Sequence, residues 1–465
     1  VGRSTPTARG IYDLGGNVSE WLTDLPQNDY YRAHNPKGRI GGSLFGMAVA
    51  GDHFRGDGAD TWRGRLRNIR SAGWPWLGFR IVRCEAGAHE DSPFVPKVVL
   101  DVSAATYDPL QGCTFRGNLR RTGWFGEQAL TRLSGVKWAF ETEGPVESSP
   151  IVCNGTVYVG SNDGRLYALD AETGETRWSM EAGGKVIGSA TVADGTLYAG
   201  SEGGYLFALD AKTGEVKWQF SPEPNRPAAW PVRTSTAVAH GVVFAGMGRW
   251  NGRLFGVDAQ TGKEVWRLRG VGPNGGMLGP TIVDTRLIAP VGDIRLMCVD
   301  LRTELPIWTA NGHHCQASVA VEDGVAFYSN GSACYALDLQ SGEKMSDLRV
   351  KGGGLSFFPQ SGPAVHDGKA YFVKGDNRLY AFSVDNKRLK KDWDVPLGAG
   401  VRSSVSLGGN VLYYGSDDHH VYARDRATGE ELWSFETGDR VSSSAAIHDG
   451  VLYIGSEDGK VYALH

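Results

Sequence analysis

GRLYALDAETGETRW (164–178) decides the fold of this chain. Its first half, Arg165 to Asp170, has the apolar, β-prone composition of a strand, Asp170-Ala171-Glu172-Thr173-Gly174 carries turn chemistry, and Thr176 to Met180 starts a second strand. The stretch recurs as GYLFALDAKTGEVKW (204–218), GRLFGVDAQTGKEVW (252–266) and HVYARDRATGEELW (420–433). Weaker copies are RLMCVDLRTELPIW (295–308), CYALDLQSGEKM (334–345) and RLYAFSVDNKRLKKDW (378–393). Trp138, Trp178, Trp218, Trp266 and Trp308 follow one another at 40, 40, 48 and 42 residues; Met345 stands next, then Trp393 and Trp433. A period near 40 with four short strands per unit is the signature of a propeller blade.

Working outward from 164–178, each unit supplies strand A (148–152), B (156–161), C (165–170) and D (176–180), joined by hairpin dipeptides such as Asn154-Gly155 and Asp163-Gly164. Seven A-to-D sets follow Trp138, and the chain then ends on A, B and C alone (442–447, 451–456, 460–465). GVKWAFET (135–142) is an unmatched D strand ahead of the first set. The expectation is an all-β, eight-bladed propeller of four-stranded blades, the N-terminal strand completing the last blade so that no sheet edge is left open. Residues 136–465 form the ring, 108–135 a lead-in and 87–107 a polar, proline-containing linker.

The unit resembles the repeat of pyrroloquinoline-quinone (PQQ) alcohol-dehydrogenase-like propellers, carried by Asp170-Ala171-Glu172-Thr173-Gly174-Glu175 through Trp178 and by the lead-in Phe115-Arg116-Gly117-Asn118 with Arg121-Thr122-Gly123. The resemblance implies that Trp138, Trp178, Trp218, Trp266, Trp308, Trp393 and Trp433 wedge between blades beside the Thr-Gly turn of the neighbour. Enzymes of that family hold their quinone under a vicinal Cys-Cys ring with calcium and an Asp base. The six cysteines here (84, 113, 153, 298, 315 and 334) include no such dipeptide and no CxxC. PQQ is therefore not expected, and the regular repeats resemble the non-enzymatic scaffold branch. Neither a zinc ribbon nor a disulfide framework is indicated, and the redox compartment stays open.

Strand polarity puts the D–A loops and B–C turns on one face. That face carries the residues that break the repeat: Arg226 and Trp230 in a long D–A insertion, Arg249 and Trp250 in a B–C turn, Phe358 in a later loop, and Glu147, Arg233, Gln316 and Arg402 just inside strand A. These are the candidate ligand-binding residues for a protein or carbohydrate; surface-loop drift is the competing explanation. His313-His314-Cys315 and His419-His420 fall on the same face, where hydrogen-bonded loop histidines are expected rather than a metal site.

Residues 1–86 lack the period. GIYDLGGNVSEWLTD (10–24), GRIGGSLF (38–45) and RSAGWPWLGFRIVR (70–83) resemble, in order, three motifs of the C-terminal part of a formylglycine-generating-enzyme (sulfatase-modifying-factor) domain. The resemblance implies a partial C-type-lectin-like fold, poor in regular secondary structure, and a calcium site from the Asp13 and Glu20 carboxylates with the Gly16 and Val18 carbonyls. Crowded hard oxygen donors suit calcium; a local turn capped by Asp13 and Asn17 is the alternative. The catalytic cysteine pair of that family has no counterpart between Leu44 and Phe54, so formylglycine formation is not expected.

Of 465 residues, 65 are glycine and 14 tryptophan, against an average glycine usage of ~7%. With 22% charged and 41% hydrophobic residues the chain is neither disordered, collagenous nor a coiled coil. A net charge of −4 gives no basic footprint for nucleic acid, and no apolar run reaches the ~18 residues of a membrane-spanning helix. The sequence opens on Val1 and is expected to be part of a longer, exported bacterial protein. The functional expectation is a non-catalytic binding propeller outside the cytoplasm; the alternative is an oxidoreductase, quinone-dependent or of the formylglycine or sulfoxide type.

Overall fold

The computed structural model describes residues 113–248, 253–268, 279–291, 295–311, 318–329, 333–349, 361–385 and 388–465. They build eight antiparallel sheets arranged as an all-β propeller. In blade one, strand A is Ile151–Cys153, B is Thr156–Gly160, C is Arg165–Asp170 and D is Thr176–Glu181. Blades two to seven repeat this A-B-C-D order along the chain. The calcium residues Asp13, Gly16, Val18 and Glu20, and the motifs around them, lie outside the described residues.

Ring closure is by the N-terminal strand. Val136–Glu141 pairs with Lys460–Leu464, Trp138 lying opposite Ala463 and Glu141 opposite Lys460. The last blade thus takes strands A, B and C from the ring's final segment and D from the segment that precedes blade one, so the two ends of the propeller hold each other.

Local chemistry explains each blade's shape. The Asp170 carboxylate accepts from the backbone of Glu172 and Thr173, both at 2.9 Å, and so folds the C–D turn. Asp210, Asp258, Asp338 and Asp425 do the same in blades two, three, five and seven. The turn ends on Gly174 at φ +76°, and a Cβ there would lie 2.7 Å from Cδ2 of Trp138. Only glycine allows both the left-handed backbone and the indole face against it. A bulge in the C–D pairing, between Ala168 and Leu169 in blade one, aims the D-strand tryptophan at the next blade. Indole Nε1 then donates to the neighbour's turn: Trp138 to Ala171 O, Trp178 to Ala211 O, Trp218 to Ala259 O and Trp308 to Leu339 O, at 2.9 to 3.0 Å.

Three departures show the rule by its exceptions. In blade four Glu304 takes the glycine position and is held at φ +58°. Blade six has no Thr-Gly turn; its C and D strands run on as a long hairpin, Arg378–Asp385 with Arg388–Pro396. Its Leu389 is buried beside Met345, the residue that stands for tryptophan in blade five, so lost turn and lost indole go together. Blade eight also lacks the turn, and Trp433 donates instead to Leu130 O of the lead-in at 2.8 Å.

Candidate functional site

The lead-in runs through the centre of the ring. Cys113–Thr114 adds a fifth strand to blade two, and Cys113 is disulfide-bonded to Cys153 at the end of strand A in blade one. Backbone carbonyls of Leu119, Arg120, Thr122 and Gly123 then accept from Ile282, Val321, Val365 and Leu407, which sit in strands A of blades four to seven. Arg121, fully buried, donates to Thr114 Oγ1, Phe115 O, Thr236 O and Pro280 O, reaching blades three and four. Arg116, 2% exposed, donates to Arg121 O, Gly362 O and Pro363 O, reaching blade six. Thirteen residues thus tie seven blades together and plug the channel level with strands A.

Just before each strand A lies a second ring, a belt of serines. Ser149 N–H donates to Ser189 Oγ, Ser189 to Ser235 Oγ, Gly362 to Ser404 Oγ, Ser404 to Ser444 Oγ, and Ser444 back to Ser149 Oγ, at 2.8 to 3.2 Å. Each bond joins neighbouring blades. Gly279 and Gly362 stand at serine positions in blades four and six and interrupt the belt. The plug lies on the A–B side of this belt, so the channel mouth is at the D–A and B–C face.

Two residues outward from the belt, the mouth carries paired charges. Arg233 meets Glu202 of the blade-two B–C turn at 2.6 Å, Arg402 meets Asp417 at 3.2 Å, and Glu147 accepts from Asn162. The D–A insertion holds a one-turn 3-10 helix, Pro227–Ala229. Arg226 is exposed, whereas Trp230 is half-buried, edge-on to Phe255 with the Arg253 guanidinium 5.0 Å above its ring. Trp230 therefore anchors the insertion. Arg249, Trp250, Gln316 and Phe358 lie outside the described residues, as do His313, His314 and Cys315. His419 and His420 diverge: His419 faces Asp439, and His420 Nδ1 bonds Asp418 O at 2.8 Å.

Sequence reasoning missed the Cys113–Cys153 disulfide, the channel plug, and a cluster on the opposite face. There Trp124 stacks on His366 at 3.6 Å, with Arg426 over the indole and donating to His366 O and Tyr371 Oη. Glu322 lies 3.6 Å from His366 Nδ1. Burial, with Asp323 nearby, pushes the Glu322 carboxyl up to about 7; burial and Arg426 lower His366. The repeat gave one clue: Arg426 stands where other docking turns have Ala171, Ala211 and Ala259.

The profile of the outer membrane protein assembly factor BamB family matches residues 128–346 and 332–465. The chain belongs to this family. No curated relative matches it by sequence. Among solved structures, the quinohemoprotein alcohol dehydrogenase from Comamonas testosteroni superposes with a TM-score of 0.64 at 17% identity, over 78% of this chain and 81% of that one. BamB from Moraxella catarrhalis gives 0.58 at 18%, over 71% of this chain and 97% of that one. A europium-containing methanol dehydrogenase gives 0.58 at 16%, over 74% and 90%. At these identities the likeness is one of fold, shared by scaffold and enzyme alike.

Proposed function

We propose that this propeller of the BamB family is a non-catalytic scaffold, exported from the cytoplasm, that binds a protein partner at its D–A and B–C face. The observation that carries the reading is the locked ring: one strap bonded to seven blades, with a disulfide at its start, makes a rigid disc whose mouth residues are fixed in pairs. Rigid, pre-ordered surfaces lose little entropy on binding. The disulfide favours an oxidising compartment. The strap and its arginines fill the channel at strand level, and Cys113 and Cys153 bond each other across 40 residues rather than forming a vicinal ring. The N-terminal segment is proposed as a sulfatase-modifying-factor-like domain holding calcium at Asp13, Gly16, Val18 and Glu20.

The test pairs two measurements on the full chain. A photo-crosslinking residue at Arg226 should capture a defined protein in the producing cell, and one at Glu172 on the opposite face should not. Titration with PQQ and calcium should give no alcohol oxidation. Equal capture from both faces, or quinone-dependent turnover, overturns the scaffold reading.

A further inference from the structure

Blades five and six meet without a docking indole, since no tryptophan lies between Trp308 and Trp393. Titratable side chains bridge them instead. Strand A ends on Cys153, Ala193, Ala239, Val283 and Gly408 in blades one to four and seven, but on Glu322 and His366 in blades five and six. Glu322 Oε1 lies 3.6 Å from His366 Nδ1, and the Glu322 carboxyl also accepts from the backbone of Asp367 and Gly368, so one A–B hairpin holds the next. The strap finishes its crossing of the ring on this contact. Trp124 bridges to Leu407 and stacks its indole on His366, with centroids 3.6 Å and planes 10° apart. Arg426 stands over the same indole and donates to His366 O and Tyr371 Oη at 2.6 and 3.0 Å.

Around the pair stand Asp323 beside Glu322, Asp367 beside His366, Arg426 from the blade-seven turn and Glu127 from the strap, while Arg120 offers its carbonyl to Val321. We propose that this contact is a latch worked by one proton: with Glu322 and His366 both uncharged the two hairpins stay together and pin Trp124, and loss of the Glu322 proton parts them and frees the strap from Gly123 onward. A carboxylate held from water is costly, and parting the hairpins hydrates it. The same movement takes the imidazole from the indole, because His366 is the partner of both. Burial, with Asp323 nearby, keeps the carboxyl of the closed latch at about 7 instead of 4.5, so the opening constant grows by up to about tenfold per pH unit between those values and levels above 7. Burial and Arg426 lower His366 from 6.5, which opposes that growth below 6.5, where a hydrated imidazole takes up a proton. The latch is independent of the scaffold reading, since it lies on the A–B side and not on the partner face.

Hydrogen exchange read by mass spectrometry on the full chain tests the latch. The N–H groups of Phe125 and Val365 bond to Leu407 O and Thr122 O beside it, whereas Ile282 N–H bonds to Leu119 O further back along the strap. After correction for the intrinsic rate at each pH, peptides covering Phe125 and Val365 should exchange about two- to threefold faster at pH 7.5 than at pH 6.5, and those covering Ile282 should not change. His366→Phe keeps a ring on the indole but removes the imidazole proton, and should steepen the rise to roughly fiftyfold between pH 5 and 7.5. Glu322→Gln should abolish it. If His366→Phe fails to fold, the wild-type and Glu322→Gln profiles decide. A rise in Glu322→Gln equal to the wild type, no steepening in a folded His366→Phe, or an Ile282 that opens in step with Phe125 overturns the proposal.

Discussion

Gly174→Ala tests the docking mechanism most directly, because two costs meet there and can be measured apart. Gly174 sits at φ +76°, and a Cβ would lie 2.7, 2.8 and 2.9 Å from Cδ2, Cγ and Cε3 of Trp138. Gly183, at φ +69°, has nothing within 4 Å of its Cβ position. Gly183→Ala therefore reports the left-handed backbone alone, ~1–2 kcal/mol. Gly174→Ala adds the clash. Carbon contacts are comfortable near ~3.5–4.0 Å, so the indole must withdraw by about 1 Å, although its Nε1 is tied to Ala171 O. Overpacking of that kind costs ~1–3 kcal/mol, giving ~2–5 kcal/mol in all. The assay is urea unfolding followed by circular dichroism, with midpoints compared at unchanged m-value. In a double-mutant cycle with Trp138→Leu, the excess over Gly183→Ala should reappear as a coupling energy of ~1–3 kcal/mol. If Gly174→Ala costs no more than Gly183→Ala, or couples to Trp138 by nothing measurable, the turn glycine is not there for the indole.

Three further outcomes follow from the same geometry. The Cys113–Cys153 disulfide closes a loop of 40 residues, so the double variant Cys113→Ser/Cys153→Ser should lose ~4 kcal/mol by the chain-entropy relation, and a reductant should lower the wild-type melting temperature likewise. Glu304→Gly removes a non-glycine residue from φ +58° in the blade-four turn and should stabilise by ~0.5–1 kcal/mol in the same urea assay. Glu322 has a folded pKa raised to about 7 from 4.5, so its contribution is fully present below pH 4.5 and is lost as the pH rises through 7. Glu322→Gln should flatten that decline in melting temperature between pH 5 and 8; an unchanged slope refutes the assignment.

What was legible in the sequence is what repeats. The tryptophan column, the Asp-to-Thr-Gly turn and the unmatched D strand each recur or fail to recur at a fixed spacing, and so the eight blades and the closure at Val136–Glu141 could be counted. The plug could not be counted, because it occurs once: residues 113–125 bond to seven blades at or beside their strands A, and no local pattern encodes contacts 40 to 284 residues away. Its two arginines looked like part of a lead-in motif, and their burial emerges only when carbonyls from blades three, four and six converge on them. The mouth shows the same limit from the other side. Arg233 and Arg402 stood out as departures from the repeat, but the partners that fix them, Glu202 and Asp417, sit in turns where an acidic residue looks ordinary. A repeat therefore exposes its own exceptions while concealing what each exception touches. In this ring the exceptions that matter cluster around the axis, where single-copy residues must satisfy groups presented by several blades at once.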